Sequence, residues 1–435
     1  DLKIYLRYNL KTTFGVVTSF PSNVVFDGSG KCAITGALEH VLIWDIKKGA
    51  KVASYSDSEV KKQPVVSQLL LSPDKTHLAT GYSNGMIRVW NLRTGKSAHS
   101  FAGHKSEVTA LAFDQAGQLL VSGSADTDII VWDMVTDSGL FKLRGHKNSV
   151  TDLKFFEKDG SRFIVSSSKD FLVKIWDLES QHCVQTIVGH RAEVWSFDIN
   201  PDQTRLVTLC EDALRFYKLE APSKKSEDQE EGDETTEEKM EVDETLLDES
   251  KNRAVFFGIV ERKAKDRGAR IRYNLDGSVI AVQSAGKTVE FLRVHAPEEV
   301  KERRKIRFAR EKARAKKAHT QALKEHAKLL EQLKSASKTY TEITVPDEPT
   351  LQVPEKVRQP SDEVSHAQLL RADAKIQSIA WSATSTKELL LSTNSNTIEH
   401  YRISIKPRKS SNEEEDETAD ASEAESDRTI SIELP

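Results

Sequence analysis

The sequence predicts an all-β fold assembled from four-stranded units. Trp-Asp or Trp-Asn pairs recur at intervals of 42 to 46 residues, at Trp44, Trp90, Trp132 and Trp176. Gly-His pairs precede the later copies, at Gly103, Gly145 and Gly189. A repeat of about 40–45 residues with these two signatures is typical of a WD-repeat β-propeller.

The strand-like runs divide into seven blades, so we predict a seven-bladed β-propeller over residues 1–410. Blade one begins at Asn23, and the third and fourth blades are the most regular copies. Blades five to seven replace the tryptophan, and the sequence places Phe216, Phe291 and Tyr401 in that position. Because an open strand edge is prone to mispairing, we expect the segment Thr13 to Ser19 to close the ring beside Thr397 to Ser404.

Four residues of each regular blade are predicted to form a buried hydrogen-bonded relay. A buried carboxylate, imidazole and indole each need a partner, and a Ser between the His and the Trp supplies one. The predicted relay residues are His104, Ser122, Asp126 and Trp132 in blade three, and His146, Ser166, Asp170 and Trp176 in blade four. Because a His-Asp pair recurs in each blade, we interpret it as structural and not as a catalytic dyad.

The net charge of −4 conceals acidic and basic segments that are well separated along the chain. From Glu227 to Glu249 there are thirteen acidic residues and one lysine, which predicts a disordered acidic loop over residues 222–250. This loop is expected between the third and fourth strands of blade five. Solubilising disorder is the simplest role for such a segment.

A long basic helix is predicted as an insertion over residues 297–338. Pro297-Glu298-Glu299 suits a helix N-terminus, and ten Lys/Arg against two Glu lie between Lys301 and Lys317. The candidate RNA-binding residues are Arg303, Arg304, Lys305, Arg307, Arg310, Lys312, Arg314, Lys316 and Lys317. The arginines are expected to contribute most, since a guanidinium can hold a phosphate bidentately. A solvated helix, a nuclear-localisation signal and a site for an acidic protein remain open alternatives.

The C-terminal part is predicted to contain three further segments. Residues 339–362 form a Pro-rich tether that leads to the outer strand of blade six. Residues 411–428 form an acidic linker, with nine acidic residues from Glu413 to Asp427. Residues 429–435 are expected to start a second propeller. By this strand count the acidic loop, the helix and the acidic linker all follow third strands, so they should leave from one face, opposite the turns of Asp126 and Asp170.

No motif in the sequence predicts catalysis. A phosphate-binding glycine loop, a Cys/His metal cluster and a nucleophile motif are all missing, so we predict no catalytic residue, no metal, no cofactor and no small-molecule substrate. Cys32, Cys183 and Cys210 lack metal-ligand spacing and suggest reduced thiols in the nucleus or cytosol. No apolar run approaches the roughly 20 residues that cross a bilayer.

Several longer motifs resemble one particular WD-repeat family. They include EHVLIWD from Glu39, DTDIIVWD from Asp126, SGLFKLRGHK from Ser138 and QHCVQTIVGHRAEVW from Gln181. In these motifs the chain resembles the Utp-twelve family, also called WD-repeat protein three. The resemblance is strongest in blades one to four and extends in character to the charged insertions.

The resemblance implies a non-catalytic scaffold subunit of the UtpB subcomplex of the small-subunit processome. Members of the family carry two tandem propellers, and the implied location is the nucleolus within the nucleus. The implied partners are other WD-repeat propeller subunits of UtpB, of the periodic tryptophan protein type, together with pre-rRNA and small nucleolar RNA. The alternative functions are a WD-repeat substrate receptor and a coat or signalling scaffold that recognises protein partners only.

Overall fold

The computed structural model describes most of the propeller and the basic insertion. It describes residues 17–56, 64–158, 160–211, 213–219, 253–336, 358–407 and 428–433. The predicted acidic loop therefore lies outside the described residues, as do most of the tether and all but the last residue of the acidic linker.

Seven four-stranded antiparallel sheets form the fold, which confirms the predicted seven-bladed β-propeller. Blades one to three comprise β1 Val24–Phe26, β2 Cys32–Ala37, β3 His40–Asp45, β4 Ala50–Tyr55, β5 Val66–Leu71, β6 His77–Tyr82, β7 Met86–Asn91, β8 Ser97–Ala102, β9 Val108–Phe113, β10 Leu119–Ser124, β11 Ile129–Asp133 and β12 Ser138–Leu143. Blades four and five comprise β13 Val150–Lys158, β14 Ser161–Ser168, β15 Val173–Asp177, β16 Cys183–Ile187, β17 Ser196–Ile199, β18 Arg205–Leu209, β19 Ala213–Leu219 and β20 Ala254–Glu261. Blades six and seven comprise β21 Gly268–Tyr273, β22 Val279–Ser284, β23 Thr288–Val294, β24 Val364–Arg371, β25 Ile376–Trp381, β26 Glu388–Thr393, β27 Ile398–Pro407 and β28 Arg428–Glu433.

Burial within a blade depends on the position of the strand. The second strand of blade three, β10, is buried along its whole length, whereas the fourth strand, β12, is mostly exposed. First strands contact the first strands of neighbouring blades, so they line the centre of the ring. The hydrophobic core therefore lies between blades: Val121 and Val131 of blade three pack in one cluster with Trp176 of blade four.

The expected closure of the ring by Thr13–Ser19 is wrong. β28 pairs antiparallel with β27, from Arg402 opposite Glu433 to Pro407 opposite Arg428. The fourth strand of blade seven is thus a C-terminal segment, and this pairing also corrects the assignment of residues 429–435 to a second propeller. The physical reason is that β27 needs a partner for the hydrogen-bonding groups of its outer edge, and β28 supplies a six-residue match.

The N-terminal segment instead bridges the first and last blades. The amides of Val17 and Thr18 donate to Oδ1 of Asn396, in the turn after β26, at 2.5 and 3.2 Å. The carbonyl of Val17 accepts from Thr35, and the amide of Ser19 donates to the carbonyl of Gly36 at 2.9 Å. Residues 17–19 therefore connect blades one and seven through the turn region and not through a strand ladder.

The insertions follow third strands, at the connections expected from the sequence. Residues 220–252, outside the described part, connect β19 to β20, and residues 408–427 connect β27 to β28. The basic insertion connects β23 to β24 and begins with helix α1, Pro297–Ala336. The face from which these segments leave remains a prediction.

A second compact unit comprises residues 294–365. Within it α1 is followed, after the undescribed residues 337–357, by the short helix α2, Pro360–Glu363. The end of the predicted tether is therefore helical, because Pro360 is preorganised for the first turn and Asp362 caps it. Neither helix could span a membrane.

Candidate functional site

In blade three the structure places the four predicted relay residues in one hydrogen-bonded row. The indole nitrogen of Trp132 donates to Oγ of Ser122 at 2.8 Å, and that oxygen lies 2.8 Å from Nε2 of His104. The other ring nitrogen, Nδ1, lies 3.1 Å from Oδ2 of Asp126. The carboxylate also accepts from the amides of Lys105 and Asp128.

Blade four repeats this geometry closely. Trp176 donates to Ser166 at 2.8 Å, Ser166 lies 2.7 Å from Nε2 of His146, and Nδ1 lies 2.9 Å from Asp170. Asp170 also accepts from the amide of Lys147 at 2.9 Å. The two blades therefore hold the same chain of four side chains.

The hydrogen-bond partners of His104 and His146 determine which ring nitrogen carries the proton. Burial lowers the pKa of His104 and of His146, although the neighbouring carboxylates oppose this effect. A neutral ring has one N–H, and the acceptor-only carboxylate of Asp126 requires it on Nδ1. The Ser122 hydroxyl then donates to Nε2 of His104 and accepts from the indole of Trp132, so every polar group has a partner.

The connectivity of Ser122, His104 and Asp126 is that of a catalytic triad, but the environment is structural. The His104 side chain is 0% exposed and Ser122 is 0% exposed, so no substrate atom can reach the hydroxyl. Its oxygen is moreover already occupied by the indole of Trp132. The arrangement connects a loop, a turn and two strands, and offers no nucleophile.

In blade five Tyr217 takes the tryptophan position, and the prediction of Phe216 is wrong. Tyr217 lies opposite Leu206 in the sheet, and its hydroxyl is 3.4 Å from Nε2 of His190. Thr208 lies 3.0 Å from the same nitrogen and takes the place of the relay serine. Neighbouring strand residues point to opposite faces, so the one-residue error moved the assignment to the wrong face of the sheet.

In blade six the tryptophan position is held by Leu292, so the prediction of Phe291 is also wrong. A buried ionic cluster replaces the relay. Oε1 of Glu290 lies 2.7 Å from Nδ1 of His366, and Oε2 lies 3.8 Å from Nε of Arg262. Burial alone would raise the pKa of Glu290, but its bonds to His366 and to the backbone hold that pKa below its usual range.

Blade seven matches the prediction, because Tyr401 lies opposite Leu389 in the tryptophan position. Blade one holds a reduced version of the relay, whereas in blade two Oγ1 of Thr80 and Nε1 of Trp90 have no hydrogen-bond partner among the described residues. Trp44 donates to Thr35 at 3.3 Å. In blade two, Thr80 is fully buried and Trp90 is 3% exposed.

A second polar network, which the sequence did not suggest, joins the inner strands of blades four, five and six. Arg272 holds Asp152 bidentately, at 2.8 and 3.2 Å, and donates to Ser196 at 3.0 Å. Ser196 donates to Asp152 at 2.6 Å, and Lys154 binds Asp198 at 2.5 Å. Burial opposes the charge of Asp152, but Arg272 keeps the pKa of this carboxyl below its usual range. The partners lie 120 residues apart in sequence, and so no local pattern reveals the pair.

The candidate RNA-binding residues of α1 fall into two groups. Three arginines are only partly exposed: Arg303, Arg304 and Arg307. The remaining candidates are exposed: Lys305, Arg310, Lys312, Arg314, Lys316 and Lys317. Lys301, Lys305, Lys312 and Lys316 follow one another at steps of four, seven and four residues, which places them along one line of the helix.

Arg307 has a structural role within the insertion. Its Nε and Nη2 atoms donate to the two carboxylate oxygens of Asp362 at 2.8 and 2.9 Å, and Nη1 donates to Glu311 at 3.0 Å. The Asp362 side chain is 2% exposed, so this pair attaches α2 to α1. Arg303 adds a bond to the carbonyl of Ser361 at 3.2 Å. The arginines that the sequence ranked highest are thus partly committed to holding the insertion together.

Comparison with known proteins agrees with the fold and with the sequence motifs. A family model described as the WDR3 first β-propeller domain matches residues 31–219. The U3 small nucleolar RNA-associated protein 12 of Saccharomyces cerevisiae is 33% identical over 432 residues, which cover 94% of this chain and 39% of that protein. The chain thus spans about two fifths of the length of this relative.

Two further matches agree with these comparisons, one in sequence and one in fold. The WD repeat-containing protein 3 homolog of Dictyostelium discoideum is 37% identical over 107 residues, covering 25% of this chain and 11% of that protein. The solved structure of the RRP9 WD40 repeats superposes with a TM-score of 0.58 at 13% identity, over 87% of this chain and 88% of that one, which supports the fold alone. The resemblance indicated by the motifs is confirmed: residues 31–219 match the family model of the first β-propeller of WD-repeat protein 3, and 94% of the chain aligns with the yeast relative.

Proposed function

We propose that this chain is a non-catalytic scaffold of the small-subunit processome that supports pre-rRNA processing and biogenesis of the small ribosomal subunit. The proposal rests on the 33% identity, across 94% of the chain, to a yeast protein named for its association with U3 small nucleolar RNA. The proposed partners are pre-rRNA, small nucleolar RNA and other WD-repeat propeller subunits of UtpB. The proposed location is the nucleolus.

The absence of catalysis is proposed from the relay chemistry. The two Ser-His-Asp relays have their serines and histidines sealed from solvent, so neither relay can act as a catalytic triad. A propeller of this kind presents large rigid surfaces, which suits a scaffold with many neighbours.

The proposed RNA contact lies on the exposed cations of α1. The exposed cations Lys301, Lys305, Lys312 and Lys316 lie on one line, and Arg310, Arg314 and Lys317 lie on another side of the helix. Cations in such rows can neutralise successive phosphates, and single-stranded RNA loses roughly 0.7 in log K per neutralised phosphate for each tenfold rise in salt. Arg307 is left out of this set because it holds Asp362.

The test replaces the exposed helix cations with Glu at Lys305, Arg310, Lys312, Arg314, Lys316 and Lys317. The full chain carrying these changes is expressed in cells, and pre-ribosomal RNA that crosslinks to it is measured. We expect a fall of at least tenfold in crosslinking, with the propeller still folded because the helix is an insertion. The matched control reverses exposed lysines of blades one and two, Lys31, Lys47, Lys48, Lys51, Lys75 and Lys96.

Two outcomes would contradict the proposal in different ways. Unchanged crosslinking and salt dependence in the helix variant would make the helix a protein-docking or nuclear-import element. Recovery of the unaltered chain with protein partners only, and without ribosomal precursor RNA, would favour the alternative of a protein-only receptor or coat scaffold.

A further inference from the structure

On the face that holds the Asp126 and Asp170 turns, blades three to five carry a repeated cation, and in blades three and four a relay carboxylate fixes its backbone. Each Gly-His pair is followed by a basic residue: Lys105, Lys147 and Arg191. The amides of Lys105 and Lys147 donate to the relay carboxylates at 2.8 and 2.9 Å, which fixes their backbone at equivalent places in neighbouring blades. All three side chains are exposed.

The acidic groups of this region are largely neutralised in blades three and four. Asp126 and Asp170 are enclosed in the relays, with side chains 9% and 6% exposed. Asp128 pairs with Arg144 at 3.4 Å, and Glu107 is half-buried and interacts with the charge of Lys169. The cations therefore dominate the exposed charge in blades three and four, whereas in blade five Glu193, Glu211 and Asp266 accompany Arg191 and Arg267.

Phe171 projects from the turn that carries this surface in blade four. Its side chain is 45% exposed and its φ is +69°, a left-handed conformation that bulky residues rarely adopt. The equivalent position in blade three holds Thr127, with φ +74°. A phenylalanine at this position is both strained and exposed, and strained residues of this kind occur frequently at functional sites.

A tryptophan anchors two more cations beside this turn. The guanidinium of Arg267 lies 4.0 Å from the ring centre of Trp195, and the Lys169 ammonium lies 4.8 Å from it. Cation–π contact limits the freedom of both side chains. Held cations beside an exposed aromatic ring are the combination that single-stranded nucleic acids require, since phosphates meet the cations and a base stacks on the ring.

We propose that this surface, defined by Lys105, Lys147, Lys169, Phe171, Arg191 and Arg267, binds single-stranded RNA. The proposal deepens the proposed function, because it adds an RNA site on the propeller that is independent of α1. Phosphates would follow the cations from blade three to blade five. Phe171 would stack with one base, without selecting its identity.

The test uses the full chain and a fluorescent oligouridine of about 15 nucleotides. Replacing Lys105, Lys147 and Arg191 with Glu is expected to weaken binding at least tenfold and to reduce the salt slope by up to about 2, at roughly 0.7 per phosphate. The matched control carries the same charge change at Lys47, Lys48 and Lys51, which are exposed in blade one, and it should bind as the unaltered chain does.

A second variant separates binding from folding. Phe171→Asn places a residue that tolerates positive φ in the turn, so the thermal midpoint should stay the same or rise while oligouridine affinity falls about tenfold with an unchanged salt slope. An unchanged affinity in this variant and in the triple variant would overturn the proposal. If only the variant with the exposed α1 cations replaced lost oligouridine binding, this surface would not be the RNA site. The proposed function would remain intact in that case.

Polyglutamate serves as the competing probe. If the triple variant loses polyglutamate binding and keeps oligouridine binding, the surface recognises an acidic protein and the RNA assignment is wrong. If the triple variant loses oligouridine binding, and polyglutamate binds neither the triple variant nor the unaltered chain, the assignment to RNA stands.

Discussion

At the scale of single residues, the relays show how a buried polar row can stabilise a turn without exposing chemistry. Ser122 is the central member because it accepts from Trp132 and donates to His104. Each neighbour has only one suitable partner in this position, since the indole nitrogen is a pure donor and the neutral Nε2 a pure acceptor. Removing the hydroxyl therefore leaves two buried groups unsatisfied.

We predict that Ser122→Ala lowers the free energy of unfolding by about 2–6 kcal/mol, since each of the two unsatisfied buried groups costs roughly 1–3 kcal/mol. Chemical denaturation of the full chain, followed by tryptophan fluorescence, measures the change. Ser100→Ala, at an exposed position of β8, is the control and should change stability by less than about 0.5 kcal/mol. Equal stability of the two variants would show that the relay contributes nothing.

At the scale of elements, one ion pair organises the basic insertion. Arg307 holds the buried carboxylate of Asp362 with two hydrogen bonds and Glu311 with a third contact. The hydrogen bonds to Asp362 are the main cause that raises the pKa of Arg307 above its ordinary value, so the charge persists at any accessible pH. The pair attaches α2 to α1, while the exposed cations of α1 remain available to a ligand.

We predict that Arg307→Ala detaches α2 from α1 and leaves the propeller intact. The carboxylate of Asp362 would be left buried without its cation, at a cost of roughly 3 kcal/mol for that contact. Hydrogen exchange should show faster exchange of the amides of residues 358–364, and unchanged exchange in β9 to β16. Arg310→Ala, an exposed neighbour on the same helix, is the control. Identical exchange in both variants would contradict a structural role for Arg307.

At the scale of the whole molecule, the ring is held by contacts between residues far apart in sequence. Arg272 of blade six holds Asp152 of blade four across 120 residues. Val17 and Thr18 reach Asn396 across 379 and 378 residues. The outer edge of blade seven is covered by β28, which follows an undescribed connection of 20 residues.

We predict that deletion of residues 428–435 opens the edge of blade seven. The outer hydrogen-bonding groups of β27 would lose their partners, and such an edge pairs readily with other chains. The deleted chain should self-associate in light scattering, and the amides of residues 402–407 should exchange faster. A monomeric chain with unchanged protection of these amides would show that β28 is dispensable. Replacement of residues 413–427 by a neutral linker of equal length is the control and should leave the edge covered.

The sequence by itself determined the repeat, the number of blades and the relay residues of blades three and four. The Trp and Gly-His periodicity is local information, and the chemistry of a buried His-Asp pair requires the same partners in each copy. Tyr401 was also correctly placed by this periodicity. Charge composition determined the basic helix, because Pro297 and the following acids mark its start.

Only the tertiary structure decided the points at which local patterns are degenerate. Phe216 and Tyr217 are adjacent aromatics, and the choice between them depends on the strand register, which long-range pairing sets. The closure of blade seven and the Asp152–Arg272 pair join segments that no sequence period connects. Arg307 and Lys305 look alike in a basic run, but the buried Asp362 makes one structural and leaves the other exposed.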